Sequence, residues 1–173
     1  VSGVSYPFTA ADAALCAKIP GWFPFPNGLD ALRACYGNIQ VRNGQVVTPG
    51  WEDDHMESWR ADWMPKGRLY INKRVRPIFE DAFNACLALK DGYQIKSLSC
   101  FAPRAKRVNG DLSVHSWGAA IDLNADTNPL STDGILRTDI PPAWIAEFEK
   151  RGLRWGGRFA KPDAMHFQAV TGY

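Results

Sequence analysis

Histidine is scarce in this chain: His55, His115 and His166 are the only three among 173 residues. The four cysteines (Cys16, Cys35, Cys86, Cys100) show no CxxC spacing and no histidine close by in sequence, which argues against a thiolate zinc knuckle. Cys86, on the apolar face of a helix, and Cys100, at a strand end, read as buried hydrophobes. A pairing of Cys16 with Cys35 across two N-terminal helices stays open. No apolar run approaches the length of about 18 residues that a membrane span needs, and a net charge of +2 is too small to argue for nucleic acid. There are no repeats and no low-complexity segment. The opening VSGVSYPFTA has neither a basic n-region nor an apolar h-region, so no signal peptide is visible. A start at Val rather than Met reads as a chain processed or excised from something longer.

What is present is an ordinary globular composition, 46% hydrophobic and 22% charged, with seven tryptophans and twelve prolines that point to a loop-rich molecule. Its length fits one compact unit with a sizeable core. Thr9 caps a short helix that Pro20 stops, and a second helix spans about 29–35 and ends near Gly37. Asn43-Gly44 between two alternating runs is a hairpin signal. Residues 50–66, acidic and tryptophan-studded, read as a long surface loop or irregular helix. Asp53, Asp54 and His55 within it read as an acidic solvated loop rather than a second metal site. From residue 69 the signal sharpens. Asn72 is placed to cap a helix whose stripe is Val75, Ile78, Phe79, Ala82, Phe83, Cys86 and Leu87, its regular part starting at Arg76 or Pro77. YQIKSLSC, AAIDL and MHFQAV read as strands, RWGGRF as a strand or turn. Pro141-Pro142 start a helix with Trp144, Ile145 and Phe148 inward and Gly152 just past its end. The predicted class is α+β, a small mixed or antiparallel sheet flanked by helices.

The segment SVHSWGAAIDLNAD puts His115 and Asp122 seven residues apart. Two ligands of one zinc lie only about 3–3.5 Å apart, whereas seven residues rise about 10.5 Å in a helix and about 23 Å in a strand. The two side chains meet only if the chain folds back between them, and Gly118 permits that reversal. On this fragment alone, a metal site and a buried His–Asp pair are both open. PDAMHFQAV adds His166, which on a strand shares a face with Ala164 and Gln168 while Met165, Phe167 and Ala169 face the other way. Two imidazoles and a carboxylate form a catalytic zinc set with one position left for water. Asp163, three residues before His166, is then free to act as the base.

SVHSWGAAID resembles the SxHxxGxAxD signature of the zinc peptidases that include D-alanyl-D-alanine carboxypeptidases and bacteriophage L-alanyl-D-glutamate endopeptidases, with Ser113, His115, Gly118, Ala120 and Asp122 at its fixed positions. DAMHF resembles the family's second motif, an acidic residue three before a histidine. The resemblance covers roughly residues 68–170. It implies an LAS-type metallopeptidase fold with the zinc site in a cleft on the sheet. It implies His115, Asp122 and His166 as ligands of one zinc ion per chain and Asp163 as base. It also implies an oxyanion-stabilising arginine, for which Arg104 in SCFAPRAKR is the candidate and Arg107 the alternative. Ser113 either binds substrate or caps the turn before His115. Trp117 and Trp155 are candidate walls of a substrate groove, with burial in the core as the commoner fate of a tryptophan.

The implied partner is the peptide stem of bacterial peptidoglycan, and the expected state is a monomer. The expected bond is L-Ala–D-Glu, cut by a phage lysis enzyme made in the host cytoplasm and released to the wall. A secreted or envelope D-alanyl-D-alanine carboxypeptidase is the alternative, and a non-catalytic zinc-containing wall-binding module a third reading. Residues 1–65 are expected to be an N-terminal extension packed on a catalytic core of residues 66–173. Trp22, Phe23, Phe25 and Trp51 serve there either as core or as rings that stack on sugars.

Overall fold

Asn43 and Gly44 both take positive φ, 51° and 76°, the two left-handed positions that a tight hairpin turn between right-twisted strands demands. They join β1 (Val41–Arg42) to β2 (Gln45–Val46), with Val41 opposite Val46. Before them α1 (Gly28–Tyr36) buries Ala31, Leu32, Cys35 and Tyr36 and stops at Gly37, φ 89°. The structure, a computed structural model, describes residues 25–106 and 110–173. The helix expected after Thr9, the aromatics Trp22 and Phe23, and Cys16 lie outside the described residues.

Residues 50–66 are neither one long surface loop nor one irregular helix. A short helix, α2 (Trp51–His55), runs directly into β3 (Met56–Arg60), which pairs antiparallel with β4 (Arg68–Asn72). Trp51, Met56, Trp59 and Met64 are buried, while Asp53 and Asp54 stay exposed. Five residues of helix followed at once by five of strand leave neither period a window long enough to show. The turn at 61–67, in which position 65 falls, joins these two paired strands. Phe25 and Trp51 belong to the buried core.

The long helix α3 (Arg76–Ala88) starts where Pro77 requires, in its first turn, and buries Phe79, Ala82, Phe83 and Cys86 along the predicted stripe. Asn72 does not cap it. Its Oδ1 accepts from the Arg74 N–H, while its Nδ2 donates to the Trp117 carbonyl and its own N–H to the Gly118 carbonyl. Of the run YQIKSLSC only β5 (Leu98–Ser99) is strand. Residues 96 and 97 give their N–H groups to the Asn124 side-chain carbonyl, so an asparagine side chain replaces a sheet ladder there.

After β5 come β6 (Ala120–Leu123), α4 (Pro142–Lys150), β7 (Arg154–Trp155) and β8 (His166–Gln168). The four strands form one antiparallel sheet in the order β5-β6-β8-β7. One face carries Phe167, stacked on Phe148 of α4 with ring centroids 4.2 Å apart; Phe148 in turn meets Phe83 of α3 edge-on at 5.1 Å. Each fully buried ring contributes about 1.5–3 kcal/mol of transfer free energy. The molecule is thus α+β with small antiparallel sheets, and the helices α3 and α4 pin one face of β8. The alternation of a strand then turns His166 and Gln168 to the opposite face.

Candidate metal centre

The reversal between His115 and Asp122 is a single 3-10 turn, Val114–Trp117, closed by Gly118 at φ 62°. Ser113 caps the turn, its hydroxyl accepting from the His115 N–H, and the Gly118 N–H donates back to the His115 carbonyl. Asn72 grips the far end of the turn from β4. The chain then enters β6, where Asp122 stands directly opposite His166 of β8. The seven-residue gap is therefore spanned by a turn and a strand, not by either regular element alone.

Three atoms converge. His115 Nε2 lies 3.0 Å from Asp122 Oδ1 and 3.1 Å from His166 Nδ1, and His166 Nδ1 lies 3.0 Å from the same Asp122 oxygen. These edges match the spacing of about 3–3.5 Å between two ligands of one zinc. Both histidines are buried, and Asp122 keeps 13% of its side-chain surface.

The partners on the outer side of each ring show what the triad needs. His115 Nδ1 lies 2.6 Å from the Cys100 carbonyl, which can only accept, so Nδ1 carries the proton and Nε2 is a bare lone pair. The Gln168 amide nitrogen donates to the Val170 carbonyl at 3.0 Å, which turns its oxygen toward His166 Nε2 at 2.9 Å. Nε2 then carries the proton and Nδ1 is bare. Two imidazole lone pairs and a carboxylate oxygen thus face one another in a buried space, an arrangement that is repulsive without a cation or extra protons between them. The donor set, two neutral imidazoles and one carboxylate each oriented from outside, suits zinc. Among the described residues, this is the one group of three or more such side chains placed to hold a metal.

The electrostatics carry the same tension. Burial disfavours ionised Asp122, but the hydrogen bonds and charges of His115 and His166 outweigh it and hold the carboxyl well below its ordinary range. Burial likewise disfavours charge on His166, yet Asp122 raises its pKa above the ordinary 6.5.

Asp163 stands beside this triad, on the turn that leads into β8. Its N–H donates to the Gly156 carbonyl, its carbonyl accepts from the His166 N–H, and its Oδ1 is buried with no hydrogen-bond partner. Burial pushes its carboxyl above the ordinary value, with the Asp122 charge adding and His166, His115 and Arg104 opposing. Gly156, in the 3-10 turn Gly156–Arg158, lets this segment pack so closely: a Cβ there would overlap the Asp163 carbonyl and lie 3.0 Å from His166 Cβ.

Arg104 has an exposed side chain whose charge reaches Asp163. Its main chain is held on both sides by Ser116, whose Oγ accepts from the Arg104 N–H and donates to the Arg104 carbonyl. Arg107 lies outside the described residues. Trp117 is not a groove wall: it is fully buried, its indole N–H donating to the Gly37 carbonyl at 2.8 Å. Trp155 is likewise buried, donating to the Ala164 carbonyl. Both rings are too large and apolar to be left outside a core this close to the sheet. His55 stacks on Trp51 and is hydrogen-bonded to its carbonyl, away from the triad.

Sequence reasoning missed four contributors: Asn72, Gly156, Gln168 and the Cys100 carbonyl. Gln168 had a signal, two residues from His166 on the same strand face. The Cys100 carbonyl had none, because every residue has one.

This is the geometry of a candidate metal centre, and it falls largely within a segment that resembles a known family. Residues 106–169, just over a third of the chain, match the family model described as D-alanyl-D-alanine carboxypeptidase. No curated protein and no solved structure matches the chain.

Proposed function

We propose that this protein is a zinc-dependent peptidase that cuts the peptide stem of bacterial peptidoglycan, with the L-Ala–D-Glu bond as its target. The observation that carries the reading is the convergence of three potential ligand atoms within 3.1 Å beside a further carboxylate, Asp163, one oxygen of which is buried without a hydrogen-bond partner. His115, Asp122 and His166 hold the ion, which when bound polarises a carbonyl and makes water more acidic. Asp163 accepts the proton of the attacking water, and its raised pKa makes it a better acceptor than an ordinary aspartate. As the C–N bond breaks, the same carboxyl returns the proton to the leaving amine. Arg104, always charged, faces the oxyanion that develops on the scissile carbonyl. The cleft expected on this face of the sheet belongs to the same reading, as does action on the wall by a monomer released from the host cytoplasm.

The choice of L-Ala–D-Glu rests on aspartate at 163, the form that resembles the endopeptidases. The description of the matching family favours a second reading, removal of the terminal D-alanine. Digestion of purified sacculi with zinc-loaded protein separates them. New N-terminal glutamyl ends are the expected result, free D-alanine establishes the carboxypeptidase reading, and neither product overturns both.

A further inference from the structure

Asp122 and His166 are a direct cross-strand pair on β6 and β8, with Cα atoms about 4.5–5.5 Å apart. At that separation their ligand atoms meet only if the two side chains have the same reach. An aspartate oxygen is two bonds beyond Cβ. In a histidine the same is true of Nδ1, whereas Nε2 is a further bond out along the ring. His115 comes from the turn outside the sheet and reaches in with its longer arm, Nε2. The site therefore needs opposite nitrogens from its two histidines.

Nothing in an imidazole chooses between its nitrogens; the choice is made by whatever accepts the proton on the other one. For His115 that acceptor is a main-chain carbonyl, Cys100. For His166 it is a side chain, Gln168, itself 4% exposed and held in one orientation by the Val170 carbonyl. Were the Gln168 amide reversed, its NH2 would face His166 and its oxygen would face a carbonyl oxygen, so the flipped state is disfavoured twice. We infer that Gln168 is a positioning residue for the metal: by accepting the proton of His166 Nε2 it makes Nδ1 the coordinating nitrogen and matches His166 in reach to Asp122. The inference rests on the triad being a zinc site, and it adds a determinant of metal affinity that is not a ligand.

The nitrogen assignment is tested directly in protein loaded with NMR-active cadmium in place of zinc. A metal on Nδ1 is three bonds from Hε1 alone, whereas a metal on Nε2 is three bonds from both Hε1 and Hδ2. The expected pattern is coupling to Hε1 only for His166 and to both protons for His115. Coupling of both His166 ring protons overturns the inference.

Zinc competition against a chelator tests the role of the side chain. Gln168→Leu, which has no acceptor, is expected to bind zinc about 10–100-fold more weakly than the parent. Gln168→Glu keeps an acceptor toward His166, and its affinity is expected to lie nearer the parent than the leucine variant. A folded Gln168→Leu protein with parental zinc affinity and a lowered unfolding midpoint would show a packing role only, and overturns the inference. A parent that takes up no zinc overturns it together with the metal-site reading. None of these measurements uses a wall substrate, so the result stands apart from the peptidase assignment.

Discussion

Gly118 is the hinge of the candidate site, and replacing it with alanine perturbs the site through two separable effects. The first is backbone strain: at φ 62° an L side chain crowds its own carbonyl, at a cost of about 1–2 kcal/mol. The second is space. An added Cβ would lie 2.5 Å from Met56 Cε, 2.9 Å from Met56 Sδ and 3.0 Å from the main-chain nitrogen of Asn72. The methionine tip can swing aside. The Asn72 nitrogen cannot, because it belongs to β4 and donates to the Gly118 carbonyl itself. Overpacking of this kind costs about 1–3 kcal/mol, so Gly118→Ala is expected to lose about 2–5 kcal/mol in all.

Gly67 supplies the control, since it has a similar φ of 66° with nothing within 4 Å of the added Cβ. Gly67→Ala therefore carries the strain alone, about 1–2 kcal/mol. Urea unfolding of the metal-free proteins reads both losses on one scale. A Gly118→Ala loss no larger than that of Gly67→Ala would refute the packing argument. Zinc affinity should fall with Gly118→Ala and be unchanged by Gly67→Ala.

Gly156→Ala should weaken zinc binding by steric displacement alone, because the added methyl presses on the Asp163 carbonyl and on His166; chelator competition measures it, and parental affinity would contradict the close packing. Asp163→Asn is expected to lower wall cleavage by about 10²–10⁴-fold while leaving zinc content intact; undiminished release of new termini would remove Asp163 from the mechanism. Arg104→Ala should lower kcat with little change in the unfolding midpoint, because its guanidinium is exposed and makes no ion pair among the described residues. The metal-free protein should lose stability on the alkaline side. Asp122 raises the pKa of His166 in the folded state, so that contribution is complete below the ordinary 6.5 and is lost as pH rises through the higher folded value. Unfolding midpoints across this range, with and without zinc, test it: a metal-free midpoint that rises with pH there would be the wrong sign.

Much of the site was legible because it depends on residue type and order. His115, Asp122 and His166 could be gathered from one sequence since a scarce histidine beside a carboxylate is conspicuous. The distance argument required a reversal, and Gly118 was the residue there able to take positive φ. The helix α3 and the Asn43-Gly44 turn were legible for the same reason, a period or a dihedral demand written in adjacent residues. Residues 50–66 were not, because their helix and strand are five residues each, too short for either period to show. The strand YQIKSLSC was overextended because an asparagine 27 residues onward, Asn124, takes the place of its ladder.

The sequence by itself determined which chemical groups are present and that the chain must turn back between two of them. Only the tertiary structure decided how those groups are aimed. Trp117 became core because Gly37 offers its indole a carbonyl, and Ser113 became a cap because the His115 N–H lies within its reach. The nitrogen that each histidine turns inward is set by Cys100 and Gln168, through hydrogen bonds over 15 and 2 residues of chain. A lone pair has a direction as well as an identity, and direction follows from what lies behind the ring, which only the folded chain supplies.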